Sequence, residues 1–281
     1  MESNKRRKIG FKPFIYIVCI FLAILSVMPF LIMIVNGTRS TTEIQQQSLS
    51  LIPSNNLANN IKVLEKGSFD ALVGFKNSMI ISLSASALAV YFSSLTAFAL
   101  IAYDWRLRKG FFTFIMAVMM IPGQLSAIGF YQFMYTLNLT NSFIPFIVPS
   151  IAAPPIVFFM RQYLLSTFSL DIVNAARIDG SNEFRTFNFI VLPMMKPALA
   201  MQAIFVFVGS WNALLMPIIL LNDQKMYTMP IMVNQLRGNI YRTEFGSIYV
   251  ALTMSVIPLF IVYFSLSKYI IAGVQLGGVK E

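Results

Sequence analysis

The apolar positions of this chain gather in long blocks separated by short polar interruptions. A helix needs roughly 20 apolar residues to cross a bilayer core. Six blocks reach that length: 13–35, 77–103, 111–136, 143–163, 198–221 and 247–270. The first is too long for a cleaved signal core and ends Ile34-Val35-Asn36-Gly37, so it reads as a retained helix. The second is full of Ser and Ala, which let helices pack closely in lipid. Pro122-Gly123-Gln124 interrupts the third, and Pro145, Pro149, Pro154 and Pro155 kink the fourth. The pattern predicts an all-α integral membrane protein of six transmembrane helices. It comprises a basic N-terminus (1–12), one membrane domain (13–271) and a short tail (272–281).

The polar interruptions differ in kind. Residues 37–76 form an Asn-rich loop carrying Asn55, Asn56, Asn59 and Asn60, and residues 222–246 form a second polar loop. A tight basic turn, Asp104-Trp105-Arg106-Leu107-Arg108-Lys109, follows the second block. The segment 170–197 is different, because it is charged and also patterned. Ser169 is placed to cap a short helix with Asp171 in its first turn, and Gly180 ends that helix. Ser181 is placed to cap a second helix with Glu183 in its first turn, closed by Pro193 and Pro197. This reads as a helical hairpin held at a membrane surface.

Composition sharpens the picture. Hydrophobic residues make up 57% of the 281 and charged residues 11%, against about 25% charged in soluble domains. The net charge of +10 could suggest a nucleic-acid partner, but basic residues also gather at the cytoplasmic ends of membrane helices. With the N-terminus inside, cytoplasmic segments hold fourteen Lys and Arg against seven outside. That bias predicts both termini and the hairpin on the cytoplasmic side, with no nucleic acid involved.

Several chemistries are excluded. The chain has no His and one Cys, Cys19, so a disulfide framework, a Cys/His metal site and a Ser/His/Asp triad are all ruled out within it. No Gly-x-x-x-x-Gly-Lys-Ser/Thr loop is present to cradle a nucleotide phosphate. The apolar blocks carry almost no ionisable residue of the kind that binds a coupling ion, and no Arg row of a voltage sensor. Met116, Met119 and Met120 read as packing. The Asn138-Leu139-Thr140 sequon reads as a chance match. Energy for any work across the membrane therefore comes from another protein, and the hairpin is the obvious place for it to dock.

The hairpin also carries a resemblance. Asn174-Ala175-Ala176, three residues, Gly180, nine residues, then Ile190-Val191-Leu192-Pro193 has the spacing of the Glu-Ala-Ala…Gly…Ile-x-Leu-Pro motif. That motif marks inner-membrane permeases of binding-protein-dependent ATP-binding-cassette importers. The departures are Asn174 for the family's Glu and Ser169 where Pro is frequent. Asn77-Ser78, Arg161-Gln162-Tyr163, Ser210-Trp211-Asn212 with Pro217, and the ending Gly273…Gly277-Gly278-Val279-Lys280 are similar to the sugar-importer branch. The resemblance covers about residues 75–281 and is nearest to the second permease of the maltose-type group.

The resemblance implies a type I importer fold with a cytoplasmic coupling helix, and function as a sugar or oligosaccharide permease in a bacterial or archaeal cytoplasmic membrane. Implied partners are a second homologous permease, two ATPase subunits carrying ATP and Mg, and an extracytoplasmic sugar-binding protein. No cofactor is implied on this chain. The implied ATPase-coupling residues are Asn174, Ala175, Ala176, Arg177, Asp179, Gly180, Leu192 and Pro193. Ala175 and Ala176 would keep the helix thin enough to enter a partner's groove, with Arg177, Asp179 and Arg185 at the rim. Gly273, Gly277, Gly278 and Lys280 are implied to touch the ATPase, while Tyr241 and Arg242 either contact the binding protein or belong to a plain solvated loop. Trp211 is either an interfacial belt residue or a pore-facing aromatic suited to a sugar face, with Asn212 beside it to bind hydroxyls. The same machine importing glycerol phosphate or a polyol is one alternative. An ATP-independent channel or scaffold is another, and the hairpin motif argues against it.

Overall fold

The computed structural model describes residues 2–67, 69–237 and 243–278, and these are helical with no strand among them. In chain order the helices are α1 (Glu2–Gly37), α2 (Thr41–Gln46), α3 (Leu57–Lys66), α4 (Ala71–Ala102), α5 (Arg108–Met119) and α6 (Ala127–Thr136). They continue with α7 (Ile144–Ile147), α8 (Pro154–Thr167), α9 (Leu170–Ile178), α10 (Glu183–Thr186) and α11 (Leu192–Met194). The last four are α12 (Lys196–Trp211), α13 (Leu215–Leu220), α14 (Met229–Gln235) and α15 (Phe245–Gly278).

Four of these stretches are long and apolar enough to cross a membrane: Pro13–Gly37, Ala71–Ala102, Ile144–Thr167 and Phe245–Lys268. Glu183–Met194 with Lys196–Trp211 makes a fifth if the pair, bent by 81°, is counted as one span. The expected third span, 111–136, is instead broken. The helix stops at Met119, a 3-10 turn covers Gly123–Ser126, and α6 resumes at Ala127. Pro122 explains this, since it offers no N–H and its ring clashes with the carbonyl four residues back. The expected fifth span, 198–221, is likewise divided into α12 and α13.

By its internal contacts the chain forms two units, Met1–Ala71 with Met232–Val256, and Leu72–Ile231 with Ile257–Glu281. In the first unit, the expected loop 37–76 contains α2 and α3 and is densely bonded. Ser40 and Glu43 form a capping box at α2. The Ser40 backbone N–H, then its hydroxyl, hold the Glu43 carboxyl below the usual carboxylate range. Arg39, counted from sequence as an outer charge, is buried; it donates to Asn36 Oδ1 at 3.0 Å, Gln47 O at 2.6 Å and Glu43 O at 3.0 Å. Asn60 donates to Gly37 O and Arg39 O, and its own carbonyl accepts from Ser247 Oγ at 3.0 Å. Gly246 is required there, since a Cβ would fall on the Arg39 carbonyl and the Asn60 side chain.

The second unit is built on α4. Its buried face reads Asn77, Ser78, Ile81, Ser82, Ala85, Ala89, Ser93, Ala97, so small residues recur at helical spacing. Ile156, Met160 and Leu164 of α8, Val173 of α9, Phe187, Val191 and Ala198 close over Ala89, Val90, Ala97 and Phe98 to form the core. Ser86 and Ser94 donate back to the carbonyls of Ser82 and Val90, which satisfies them without water. The Asn77-Ser78 pair has a definite task. Asn77 Nδ2 donates to the carbonyls of Lys225 and Tyr227 at 2.8 and 2.9 Å, and Ser78 Oγ accepts from Met229 N at 2.8 Å. The segment after α13 is thereby pinned to the start of α4.

Candidate functional site: the helical hairpin

The hairpin begins where the sequence places it. Ser169 has extended backbone and its hydroxyl accepts from Asp171 N at 3.2 Å, capping α9. The helix ends in a Schellman turn. Gly180 N–H donates to Arg177 O at 3.1 Å, and Ser181 N–H donates to Ala176 O at 2.9 Å. Gly180 sits at φ +77°, in the left-handed region only glycine enters freely. The second helix is capped one residue later than expected. Asn182, not Ser181, accepts from Arg185 N at 2.8 Å. The Ser181 hydroxyl instead accepts from Thr186 Oγ1 at 3.0 Å.

The prolines do not close the second helix as the sequence suggests. The chain stays helical from Glu183 through Met194, with a π turn at Phe187–Val191 just before Pro193. The widened turn accommodates a residue that lacks an N–H donor and carries a bulky ring. The helix then bends by 81° at Met195, and Pro197 stands in the first turn of α12, where its missing N–H costs nothing.

Two elements that the motif does not mention hold the hairpin. Arg177 Nε donates to Glu183 Oε1 at 2.7 Å, tying α9 to α10 across the turn. Tyr103, just past α4, donates its phenol to the other oxygen of Glu183 at 2.6 Å. The Arg177 guanidinium also lies 5.7 Å from the Tyr103 ring centroid. Burial, and then the Glu183 carboxylate, push the Tyr103 phenol up to about 12, so it stays a donor. Arg177 therefore bonds within the hairpin, whereas Asp179 and Arg185 remain exposed at the rim. Tyr103 and Glu183 were not singled out as site residues from sequence. The only signal was the opposite charge of Arg177 and Glu183 on either side of Gly180.

The faces of α9 also divide differently from the expectation. Val173 and Ala176 are buried in their own chain, so Ala176 is not offered to a partner's groove. Asn174, Ala175, Ile178 and Asp179 face outward. Ile178 is 86% exposed and Phe184 70%, two large apolar groups beside the turn. Asn174 Oδ1 lies 3.5 Å from Arg177 Nη1. Leu192 packs on the core and lines an apolar cavity of about 560 Å³ with Leu83, Val90 and Leu199, while Pro193 is exposed. These last two stand on the helix behind the hairpin rather than with Asn174 and Gly180.

Away from the hairpin, Trp211 is 1% exposed, stacked on Phe207 and edge-on to Phe75, with ring centroids 5.7 Å apart in both pairs. It is a core residue in this structure and offers no face to a pore. Asn212 ends α12 and is exposed. Arg161 lies 4.2 Å over the Phe112 ring. Asn138, at φ 55°, closes α6 with Leu139 N donating to Met134 O, which explains that Asn without a glycan. The expected tail is helical as far as Gly278, so Gly273, Gly277 and Gly278 belong to α15. Lys280, Tyr241 and Arg242 lie outside the described residues.

Residues 89–275 match the family described as binding-protein-dependent transport system inner membrane component. The chain belongs to this family. It is 34% identical over 262 residues to the arabinooligosaccharides transport system permease protein AraQ of Halalkalibacterium halodurans, covering 92% of this chain and 93% of that one. It is 29% identical to the lactose transport system permease protein LacG of Rhizobium radiobacter, covering 94% and 95%. In fold it is similar to a chain of a bacterial ABC transporter involved in the import of the acidic polysaccharide alginate. That similarity has a TM-score of 0.78 at 21% identity, over 94% of this chain and 98% of the other. Family membership makes the chain a membrane component of a transport system, and the likeness of fold is to an importer's permease.

Proposed function

We propose that this chain is one of two permease subunits of an ATP-driven importer of sugars or oligosaccharides in a cytoplasmic membrane. It forms half of an alternating-access pore with a second, homologous permease. Two ATPase subunits bind ATP and Mg, and an extracytoplasmic binding protein delivers the sugar. The hairpin of α9 and α10 receives the ATPase stroke.

The observation that carries the coupling role is the outward face of the hairpin. Ile178 and Phe184 are large, apolar and exposed beside a turn rimmed by Asp179 and Arg185. Apolar groups ringed by charge fit a protein groove better than they fit water. The tether through Tyr103 and Glu183 gives the stroke a path from hairpin to α4. The names of the relatives support sugar as cargo. Six spans, with both ends inside, remain our reading of the topology, with α5 and α6 forming a third span broken at Pro122. The end of α15 is proposed to reach an ATPase.

The test is purification of a tagged copy in mild detergent with its neighbouring genes co-expressed, followed by mass spectrometry and uptake of labelled lactose and arabinotriose. A second permease and an ATPase in the complex, with sugar uptake lost on deleting the ATPase, is the expected result. A self-oligomer with no ATPase, or uptake that survives the deletion, would make the chain a channel or scaffold.

A further inference from the structure

The turn between α4 and α5 frames a hollow of about 370 Å³, lined by Asp104, Trp105, Arg106, Arg108 and Lys109. We infer that this hollow seats the headgroup of an anionic phospholipid, with the acyl chains of that lipid lying along α5. The inference needs the membrane setting that family membership supplies, and no particular cargo.

Charge comes first. The lining holds three cations and one carboxylate. That carboxylate is engaged, since Asp104 Oδ1 lies 3.6 Å from Arg108 Nη2, and Arg108 also donates to Tyr103 O at 3.1 Å. Arg106 and Lys109 are exposed and join no ion pair among the described residues. A phosphate beside these two cations is attracted by both, whereas a zwitterionic headgroup brings its own cation and cancels much of the gain. The apolar surface comes second. Leu107, Phe111 and Phe114 stand at i, i+4 and i+7, and they are 68%, 42% and 63% exposed. The opposite side of α5 is covered by protein, with Ile115 buried and Phe112 stacked on Phe158 of α8. The bare side of α5 is therefore an apolar stripe that starts at the hollow. Inorganic phosphate matches the cations alone, but a phospholipid matches the cations and the stripe together.

Depth is the third observation. Trp105 is 38% exposed and packs on Phe111 with ring centroids 5.8 Å apart. An indole with an apolar body and a polar N–H belongs at the headgroup level of a bilayer. The turn lies at the same end of α4 as the hairpin, because Tyr103 bonds Glu183. Cations, indole and stripe thus follow one another in the order of headgroup, interface and hydrocarbon, on the hairpin's side of the membrane.

The test uses the protein purified in mild detergent, with the subunits that accompany it, and reconstituted in nanodiscs. Trp105 fluorescence is taken as the difference between the unaltered protein and Trp105→Phe, which also removes the signal of the buried Trp211. Brominated phosphatidylglycerol or brominated phosphatidylcholine is titrated into unlabelled phosphatidylcholine. Each basic residue near a surface favours an anionic lipid about fivefold, so half-quenching should need roughly twentyfold less of the phosphatidylglycerol. Arg106→Gln with Lys109→Gln should bring the two titrations together, and Lys62→Gln with Lys66→Gln in α3 should leave them apart. Millimolar inorganic phosphate at constant ionic strength should displace nothing. Equal half-quenching in the unaltered protein overturns the inference. So does quenching by neither lipid, which means that water or a partner subunit covers the turn. Displacement by phosphate overturns it too, leaving an anion site without a lipid. Should the double variant fail to reach the membrane, salt decides. Raising sodium chloride from about 0.05 M to about 0.5 M should shrink the preference severalfold, and a preference indifferent to salt removes Arg106 and Lys109 from the site.

Discussion

Gly180 decides whether the hairpin turns. Its φ of +77° lies where an L side chain costs about 1–2 kcal/mol, more when β-branched. A Cβ at this position would meet nothing within 4 Å, so the cost is conformational and not a clash. The chain itself shows the tolerated exception, since Asn138 and Asn141 occupy the same region at φ 55° and 56°. Gly180→Val should therefore abolish most uptake at normal membrane level, and Gly180→Asn should keep most of it. Labelled-sugar uptake beside an immunoblot of membranes checks both, and equal uptake by the two variants would remove the turn from the coupling path.

Among the elements, the joint between α4 and the hairpin is the one the motif leaves unstated. Tyr103 reaches Glu183 at 2.6 Å, but Arg177 and Glu183 are 37% and 43% exposed, so each bond is partly screened. A loss of about 0.5–1 kcal/mol is the scale to expect from Tyr103→Phe. Amide exchange in α9 should then speed up roughly threefold, with no change for Asp104→Asn, whose side chain is 93% exposed and sits 3.6 Å from Arg108 rather than against the hairpin. Unaltered exchange in Tyr103→Phe would show that α9 is held by Val173, Ala176 and the Arg177–Glu183 pair without help from the phenol. The phenol's pKa is raised from 10.0 to about 12, so the donor side of the tether is complete below the unfolded value and fails as pH climbs through about 12, while the Glu183 carboxylate, held below the usual carboxylate range by Arg177 and then Tyr103, loses its acceptor role only in acid. Uptake across neutral pH should show no titration from this bond.

At the scale of the whole molecule, the proposed topology places residues 37–70 outside and the hairpin inside. Alkaline phosphatase fused after Ser54 should be active and fused after Asp179 inactive, because the enzyme works only once exported. The reverse result would invert the orientation and separate the hairpin from any cytoplasmic ATPase. The first apolar block lies within α1. The window of its apolar stretch is 0% buried within the chain, so this helix relies on lipid or a partner subunit for cover.

Taken by itself, the sequence determined the membrane class, the small-residue face of α4, the Ser169 cap, the Gly180 turn and the family, because these depend on local signals. Hydropathy acts over one helix, a cap over three residues and a left-handed turn at one glycine. The tertiary structure alone decided which side of α9 is core. Ala175 and Ala176 are identical in type, yet only Ala176 is buried, because α4 and α8 close over one face. It also decided that Arg39 is a buried hub, that Trp211 is core, and that Tyr103 and Glu183 meet across 80 positions. Such pairings depend on helix direction and packing, which no local pattern encodes.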